Sequence, residues 1–138
     1  MKSEATAKLA LLAFIICFGA VFHARAQTTA ATEPILANGG NNEDSKAVLD
    51  LIAQKAGAEK LIIMIVRHGN HEVSHKLNRG RLEIASTYLQ NSRGIPKAHL
   101  IRAEGERIRG RGRLEIYLDG KLLVIFTFPR NRNFAPEG

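Results

Sequence analysis

Residues Leu77 to Pro96 read Leu-Asn-Arg-Gly-Arg-Leu-Glu-Ile-Ala-Ser-Thr-Tyr-Leu-Gln-Asn-Ser-Arg-Gly-Ile-Pro, and they predict an amphipathic helix that ends in a stop signal. Apolar residues recur at steps of about 3.6 over 77–91 and share one helical face. These residues are Leu77, Ile84, Ala85, Tyr88 and Leu89. The opposite face is polar and carries Arg79, Glu83, Ser86, Thr87 and Gln90. Gly94 supplies the C-terminal break, and Pro96 prevents the helix from resuming.

Arg81 is the polar residue whose helical phase does not fit this division. At about 100° per residue it falls within the apolar stripe, next to Leu77, Ile84 and Tyr88. One interpretation is an arginine that buries its stem and extends its charge to solvent. The other is a guanidinium aimed into a groove beside a sheet, where it binds a carboxylate through two parallel hydrogen bonds.

The same stretch resembles the signature helix of the OmpA-like peptidoglycan-binding domain, approximately Leu-Ser-x-x-Arg-Ala-x-x-Val-x-x-Tyr-Leu followed by Gly-Ile-Pro. The positions that match in register are Leu77, Arg81, Ala85, Tyr88 and Leu89, with Gly94, Ile95 and Pro96 after a one-residue insertion. Asn78 replaces the usual Ser, and Leu82 replaces the usual Ala. Residues 103–106 and 113–116 resemble two further family segments, so the resemblance covers roughly Ser45 to Leu118.

This resemblance implies a carboxylate-binding site. In OmpA-like domains an Asp after a strand and the signature Arg hold the diaminopimelate of the peptidoglycan stem peptide. Arg81 matches that Arg, but Arg67-His68-Gly69-Asn70 stands where the family has its Asp. Glu72 is close enough in sequence to substitute. The implied ligand-binding residues are Arg81, Asn78, His68 and Glu72, and no cofactor is implied.

The N-terminus predicts a secretory signal peptide over residues 1–26. Lys2 and Lys8 precede an apolar run from Leu9 to Phe22, which is too short to span a membrane, and Ala24-Arg25-Ala26 forms a cleavage site. Cleavage would remove Cys17, the single cysteine, and leave a mature chain without a transmembrane segment. The expected location is the periplasm or another extracytoplasmic space, as part of a bacterial outer-membrane envelope.

The mature chain would hold 17 Lys+Arg and 12 Asp+Glu, a net charge of +5. A basic exported domain favours anionic partners, which we predict to be peptidoglycan or another anionic envelope polymer. The export signal argues against nucleic acid.

The remaining pattern predicts a two-layer α/β sandwich in which two helices pack on one mixed β-sheet that ends in a hairpin. A linker is expected over 27–42, with a short edge strand at 33–37 as an alternative, then an OmpA-like domain over 43–129 and a flexible tail over 130–138. Within the domain we expect a helix from about Ser45 to Ala56 and strands at 60–66, 99–103, 114–118 and 121–128. Lys60 to Val66 is apolar throughout, which predicts a central strand covered on both faces. Asp119-Gly120 predicts the hairpin turn.

His71-Glu72-Val73-Ser74-His75 matches His-Glu-x-x-His, the zinc peptidase motif. On a helix this spacing would place His71 and His75 as zinc ligands, with Glu72 as general base. Gly69 and Asn70 directly precede the motif, so it falls in a loop or first helical turn. We therefore expect a binding protein rather than an enzyme, and the zinc peptidase is the alternative.

Arginines alternate along residues 102–113, at positions 102, 107, 109, 111 and 113. The loop over 105–112 is either solvated charge or an anion-binding loop. A third functional class is therefore a basic extracytoplasmic protein with a structural or interaction role.

Overall fold

The computed structural model describes residues 32–72 and 74–133. Along the chain, β1 (Ile35–Asn38) is followed by α1 (Asn42–Ala56), β2 (Ile62–Arg67) and α2 (His75–Thr87). A π-helical turn (Tyr88–Ser92) extends α2, and a 3₁₀ turn (Lys97–His99) precedes the last three strands. Those strands are β3 (Leu100–Glu104), β4 (Arg113–Leu118) and β5 (Lys121–Thr127).

The five strands form one mixed sheet in the order β1-β5-β4-β2-β3. β2 pairs in parallel with β3, and β1 pairs in parallel with β5. β4 is antiparallel to both of its neighbours, β2 and β5. The carboxyl ends of β1, β2, β3 and β5 therefore meet at one end of the sheet, together with the amino end of β4.

Both helices contribute to a single core on one face of this sheet. α1 supplies Leu49, Ile52 and Ala56, and α2 and its extension supply Leu82, Ala85 and Leu89. The strands supply alternate residues, as a sheet with one covered face requires. They are Ile62, Met64, Val66, Leu114, Ile116, Val124 and Phe126. The predicted two-layer sandwich of two helices on a mixed sheet, an α+β fold, is confirmed.

The fold begins with a short strand that the sequence suggests only as an alternative. Ile35–Asn38 pairs with β5 at the sheet edge, so the sheet begins inside the stretch predicted to be a linker over 27–42. This strand corresponds to the edge strand expected as an alternative over 33–37, and an edge position tolerates its four residues because only one side must pair. β5 consequently lies between β1 and β4.

β2 lies inside the sheet, as predicted, but the helices cover only one of its two faces. β2 lies between β4 and β3, but Ile63 and Ile65 point away from the helices and are only half-buried. Their neighbours on that face come from adjacent strands, such as Tyr117 beside Ile63. The apolar run thus serves lateral packing within the sheet as well as the core.

α2 is rotated relative to its predicted phase. Ser86, expected on the polar face, is buried, whereas Leu77, Ile84 and Tyr88 are only half-buried. Asn78 and Leu82 point inward together with Arg81, which the predicted phase already placed within the apolar stripe. The sequence predicts the buried stripe from its apolar residues alone. The buried face of α2 also includes two polar side chains, Asn78 and Arg81.

The predicted helix stop at Gly94 and the predicted hairpin turn at Asp119-Gly120 are both confirmed. Gly94 has a positive φ of 68° after the helical turns, and the Asp119-Gly120 turn has φ angles of 49° and 78°. Two successive positive φ angles are typical of the tight hairpin turn that suits twisted strands. Among the described residues, none of the helices is long and apolar enough to cross a membrane. The predicted signal peptide and residues 134–138 lie outside the described residues.

Candidate functional site

Arg81 and Glu72 form a buried ion pair at the end of the sheet where the carboxyl ends meet. Arg81 NH1 donates to Glu72 Oε2 at 2.9 Å, and Arg81 NH2 donates to Glu72 Oε1 at 2.5 Å. The two side chains are only 0% and 2% exposed. This parallel two-bond geometry is the one by which arginine binds carboxylates most strongly. The carboxylate predicted for Arg81 is thus supplied from within the chain.

The rest of the Arg81 guanidinium is also occupied. Its Nε and NH2 both donate to the backbone carbonyl of Arg132, at 3.2 and 2.8 Å. The guanidinium carbon lies 4.2 Å from the centre of the Phe128 ring, which is a cation–π distance. Arg81 therefore joins α2 to the segment that follows β5, and the first residues of the predicted tail are held against the domain.

Glu72 is kept ionised by its surroundings. Burial raises the pKa of Glu72, but the hydrogen bonds from Arg81 and from the Gly69 amide (3.0 Å) outweigh it, so the pKa lies below its ordinary value. Gly112 gives the pair its space, because a Cβ at that position would overlap Glu72 Oε2 and Arg81 NH1. The pair thus depends on one glycine of the arginine-rich loop.

The other two residues implied by the resemblance are buried as well. His68 is 6% exposed, and its Nε2 bonds the Ser74 carbonyl at 2.9 Å. Asn78 is fully buried, and neither polar atom of its side chain has a partner within the described residues. The structure therefore brings Arg81 and Glu72 into contact, but it leaves none of the four implied side chains open to solvent.

The structure also places the residues of the His-Glu-x-x-His motif. His71 lies in an exposed turn, and α2 begins only at His75, so the two rings do not share a helical face. Glu72, the base of that hypothesis, is bound to Arg81. His75 instead approaches Glu104, at 3.9 Å, and the ring of His68, at 5.3 Å between centroids. No group of three potential metal ligands occurs among the described residues.

The arginine-rich loop, residues 105–112, is hydrogen-bonded to the loop after β2. Ile108 N donates to the His68 carbonyl at 2.9 Å, and Arg107 NH1 donates to the carbonyls of Gly69 and Glu72 at 3.1 and 2.7 Å. On its other side, Phe128 N donates to the Gly112 carbonyl at 3.0 Å. We call the described residues of 68–80 (68–72 and 74–80), 105–112 and 128–133 together the basic end.

The basic end collects the arginines that have no internal partner. Among the described residues, five arginine side chains make no hydrogen bond or ion pair, and all five belong to this end. They are Arg79, Arg109, Arg111, Arg130 and Arg132. Arginines elsewhere in the described chain are paired, for example Arg67 with Glu115 and Arg93 with Asp50.

Sequence reasoning identified only part of this surface. The alternating arginines of 105–112 were recognised as a possible anion-binding loop. The sequence predicts a flexible tail at Arg130 and Arg132, and a position on the polar face of a helix for Arg79. The Arg81 contact to the Arg132 carbonyl, which joins these segments, has no signal in the sequence.

Comparisons with models of known protein families, with curated proteins and with solved structures found no match to this chain.

Proposed function

We propose that this chain is an exported cell-envelope module that binds an anionic polymer, peptidoglycan or another wall polymer, without covalent attachment. The resemblance to OmpA-like domains and the signal-like N-terminus support the location and the type of partner. The observation that carries the proposal is that all five unpaired arginines of the described chain lie on one end of the fold.

Surface charge placed only for solubility is expected to be scattered and interleaved with acids. The basic end instead holds seven Lys+Arg and two Glu within residues 68–80, 105–112 and 128–133. One of those acids, Glu72, is already neutralised by Arg81. A surface of this kind attracts a polyanion over about a Debye length and holds it through several weak contacts.

Arg81 has a different part in this proposal from the one that the family resemblance implies. Its guanidinium is buried and already holds Glu72 and the Arg132 carbonyl. It holds in place the segment that carries Arg130 and Arg132, and the polymer contacts the exposed arginines instead.

Sedimentation with purified cell wall tests the proposal. Wild type should sediment with the wall at low salt, and an Arg109→Ser/Arg111→Ser variant should lose roughly five- to tenfold in affinity. Lys60→Ser/Lys121→Ser removes the same charge from exposed positions at the opposite end and should bind as wild type does. If wild type stays in the supernatant at every salt concentration, the proposed function is wrong.

A further inference from the structure

Arginine outnumbers lysine at the basic end of this molecule. Of the seven Lys+Arg at the basic end, six are arginine and only Lys76 is lysine. Five of the six lysines in the described residues lie outside that end: Lys46, Lys55, Lys60, Lys97 and Lys121. A need for positive charge alone does not separate the two residue types, because both carry one charge at neutral pH. The separation points to the planar fork of donors that arginine has and lysine lacks.

We propose that the basic end recognises phosphate groups of an envelope phosphopolymer, through arginine forks contributed by two adjacent segments. This inference rests on the proposed function and names the ligand group that the module binds. The segments are the arginine-rich loop, with Arg109 and Arg111, and the segment after β5, with Arg130 and Arg132. The Phe128 N to Gly112 carbonyl bond holds the two segments side by side.

The arrangement favours phosphate over carboxylate. A carboxylate has only two oxygens, and in this protein two guanidinium groups already surround one, because Glu115 binds both Arg67 and Arg113. A phosphate offers more acceptor oxygens and can accept from more guanidinium groups at once. Each segment carries an Arg-x-Arg pair, so neighbouring forks are available in both. All four side chains are exposed and have no partner among the described residues.

A polymer fits this surface better than a membrane or a neutral glycan does. The large apolar side chains that are exposed in the described chain are Leu36, Leu61 and Ile101, and none of them belongs to the basic end. Insertion into a bilayer interface requires exposed apolar or aromatic residues beside the cations. Stacking on sugar rings likewise requires an exposed aromatic ring. The ligand is therefore recognised by its charge groups.

Binding of long-chain inorganic polyphosphate, with poly-glutamate as the carboxylate comparison, tests this inference. Wild type should bind polyphosphate about tenfold more tightly than poly-glutamate of equal charge. A variant with Arg109, Arg111, Arg130 and Arg132 all changed to Lys keeps the net charge and should lose about tenfold in polyphosphate affinity. Lys60→Arg/Lys121→Arg, at the other end, should leave the affinity unchanged. Melting curves check that each variant is folded.

Three outcomes would overturn the inference. Equal polyphosphate binding by wild type and the four-lysine variant would show that the basic end recognises only charge and does not require the arginine fork. Equal or tighter binding of poly-glutamate would show carboxylate recognition. Tighter binding to phosphatidylglycerol vesicles than to polyphosphate would show that the phosphate is recognised on a lipid surface. In each case wild type can still sediment with cell wall, so the proposed function would survive.

Discussion

Arg81 on α2 and Glu72 in the loop before it face each other with both carboxylate oxygens bonded and almost no solvent exposure. Burying two charges costs desolvation energy, and their attraction offsets this cost only when the geometry of the pair is good. Here the Gly69 amide, the Arg132 carbonyl and the Phe128 ring complete the surroundings. The pair therefore joins α2, the loop before it and the segment after β5.

Replacing Arg81 should destabilise the fold strongly. Arg81→Ala leaves the Glu72 carboxylate buried without its partner, and we expect a loss of about 3–5 kcal/mol in the free energy of unfolding. Arg81→Lys should lose about 1.5–3 kcal/mol, because one ammonium cannot reproduce both carboxylate bonds and the bonds to Arg132. Urea denaturation measures both. Arg79→Ala, an exposed neighbour, is the control, and an Arg81→Lys variant as stable as wild type would show that the pair carries no such energy.

The pair also predicts an acid-sensitive stability. The pKa of Glu72 is lower in the folded protein than its ordinary value of 4.5, so the folded state binds fewer protons in that range. The contribution of Glu72 is therefore complete above about pH 5 and is lost as the pH falls through the lowered folded value. Glu72→Gln should be less stable than wild type at pH 7, and the difference should shrink towards about pH 3. A difference that is constant between these pH values would contradict the account.

Gly112 should not tolerate a side chain. Gly112→Ala places a methyl group against Glu72 Oε2 and Arg81 NH1, and we expect a loss of about 1–3 kcal/mol from overpacking. Gly105→Ala is a milder comparison, because its Cβ mainly meets the movable end of the Arg67 side chain. Thermal melting of the two variants should rank Gly112→Ala below Gly105→Ala. The reverse order would show that the pair adapts to the added methyl.

A second ion pair joins the two helices and should matter less. Arg93, after the π-helical turn, donates to both carboxylate oxygens of Asp50 on α1, and Tyr88 donates to Asp50 Oδ1 at 2.8 Å. Both charged side chains are 41% exposed, so solvent screens the interaction. A double-mutant cycle of Asp50→Ala and Arg93→Ala should give a coupling below about 1 kcal/mol that decreases at high salt. A larger coupling that salt does not change would show that the pair behaves as a buried one.

The sequence was sufficient for the elements and insufficient for the site. Local patterns located the helices, and the Asp119-Gly120 turn and the Gly94 stop follow from backbone preferences that act over a few residues. The sequence suggests β1 only as an alternative to a linker, because an edge strand of four residues carries little pattern. The burial of β2 was overestimated because an apolar run does not say whether a helix or a neighbouring strand covers each face.

The candidate site depends on contacts between residues far apart in the chain. Helical phase predicts that Arg81 points inward, and proximity in sequence suggests Glu72 as the acidic residue of the site. The Arg132 carbonyl and the Phe128 ring lie about fifty positions away and follow β5, so their approach depends on the strand order. Arg79, Arg109 and Arg130 likewise come together because of the strand order.

The most direct test of the account is the salt dependence of cell-wall affinity for wild type and two charge-matched variants. Arg109→Ser/Arg111→Ser should bind more weakly than wild type and show a shallower fall in affinity with rising salt, because two contacts that salt screens are gone. Lys60→Ser/Lys121→Ser should follow the wild-type curve. If both variants weaken binding to the same extent, the wall responds only to net charge, and the claim that the basic end is the binding surface is contradicted.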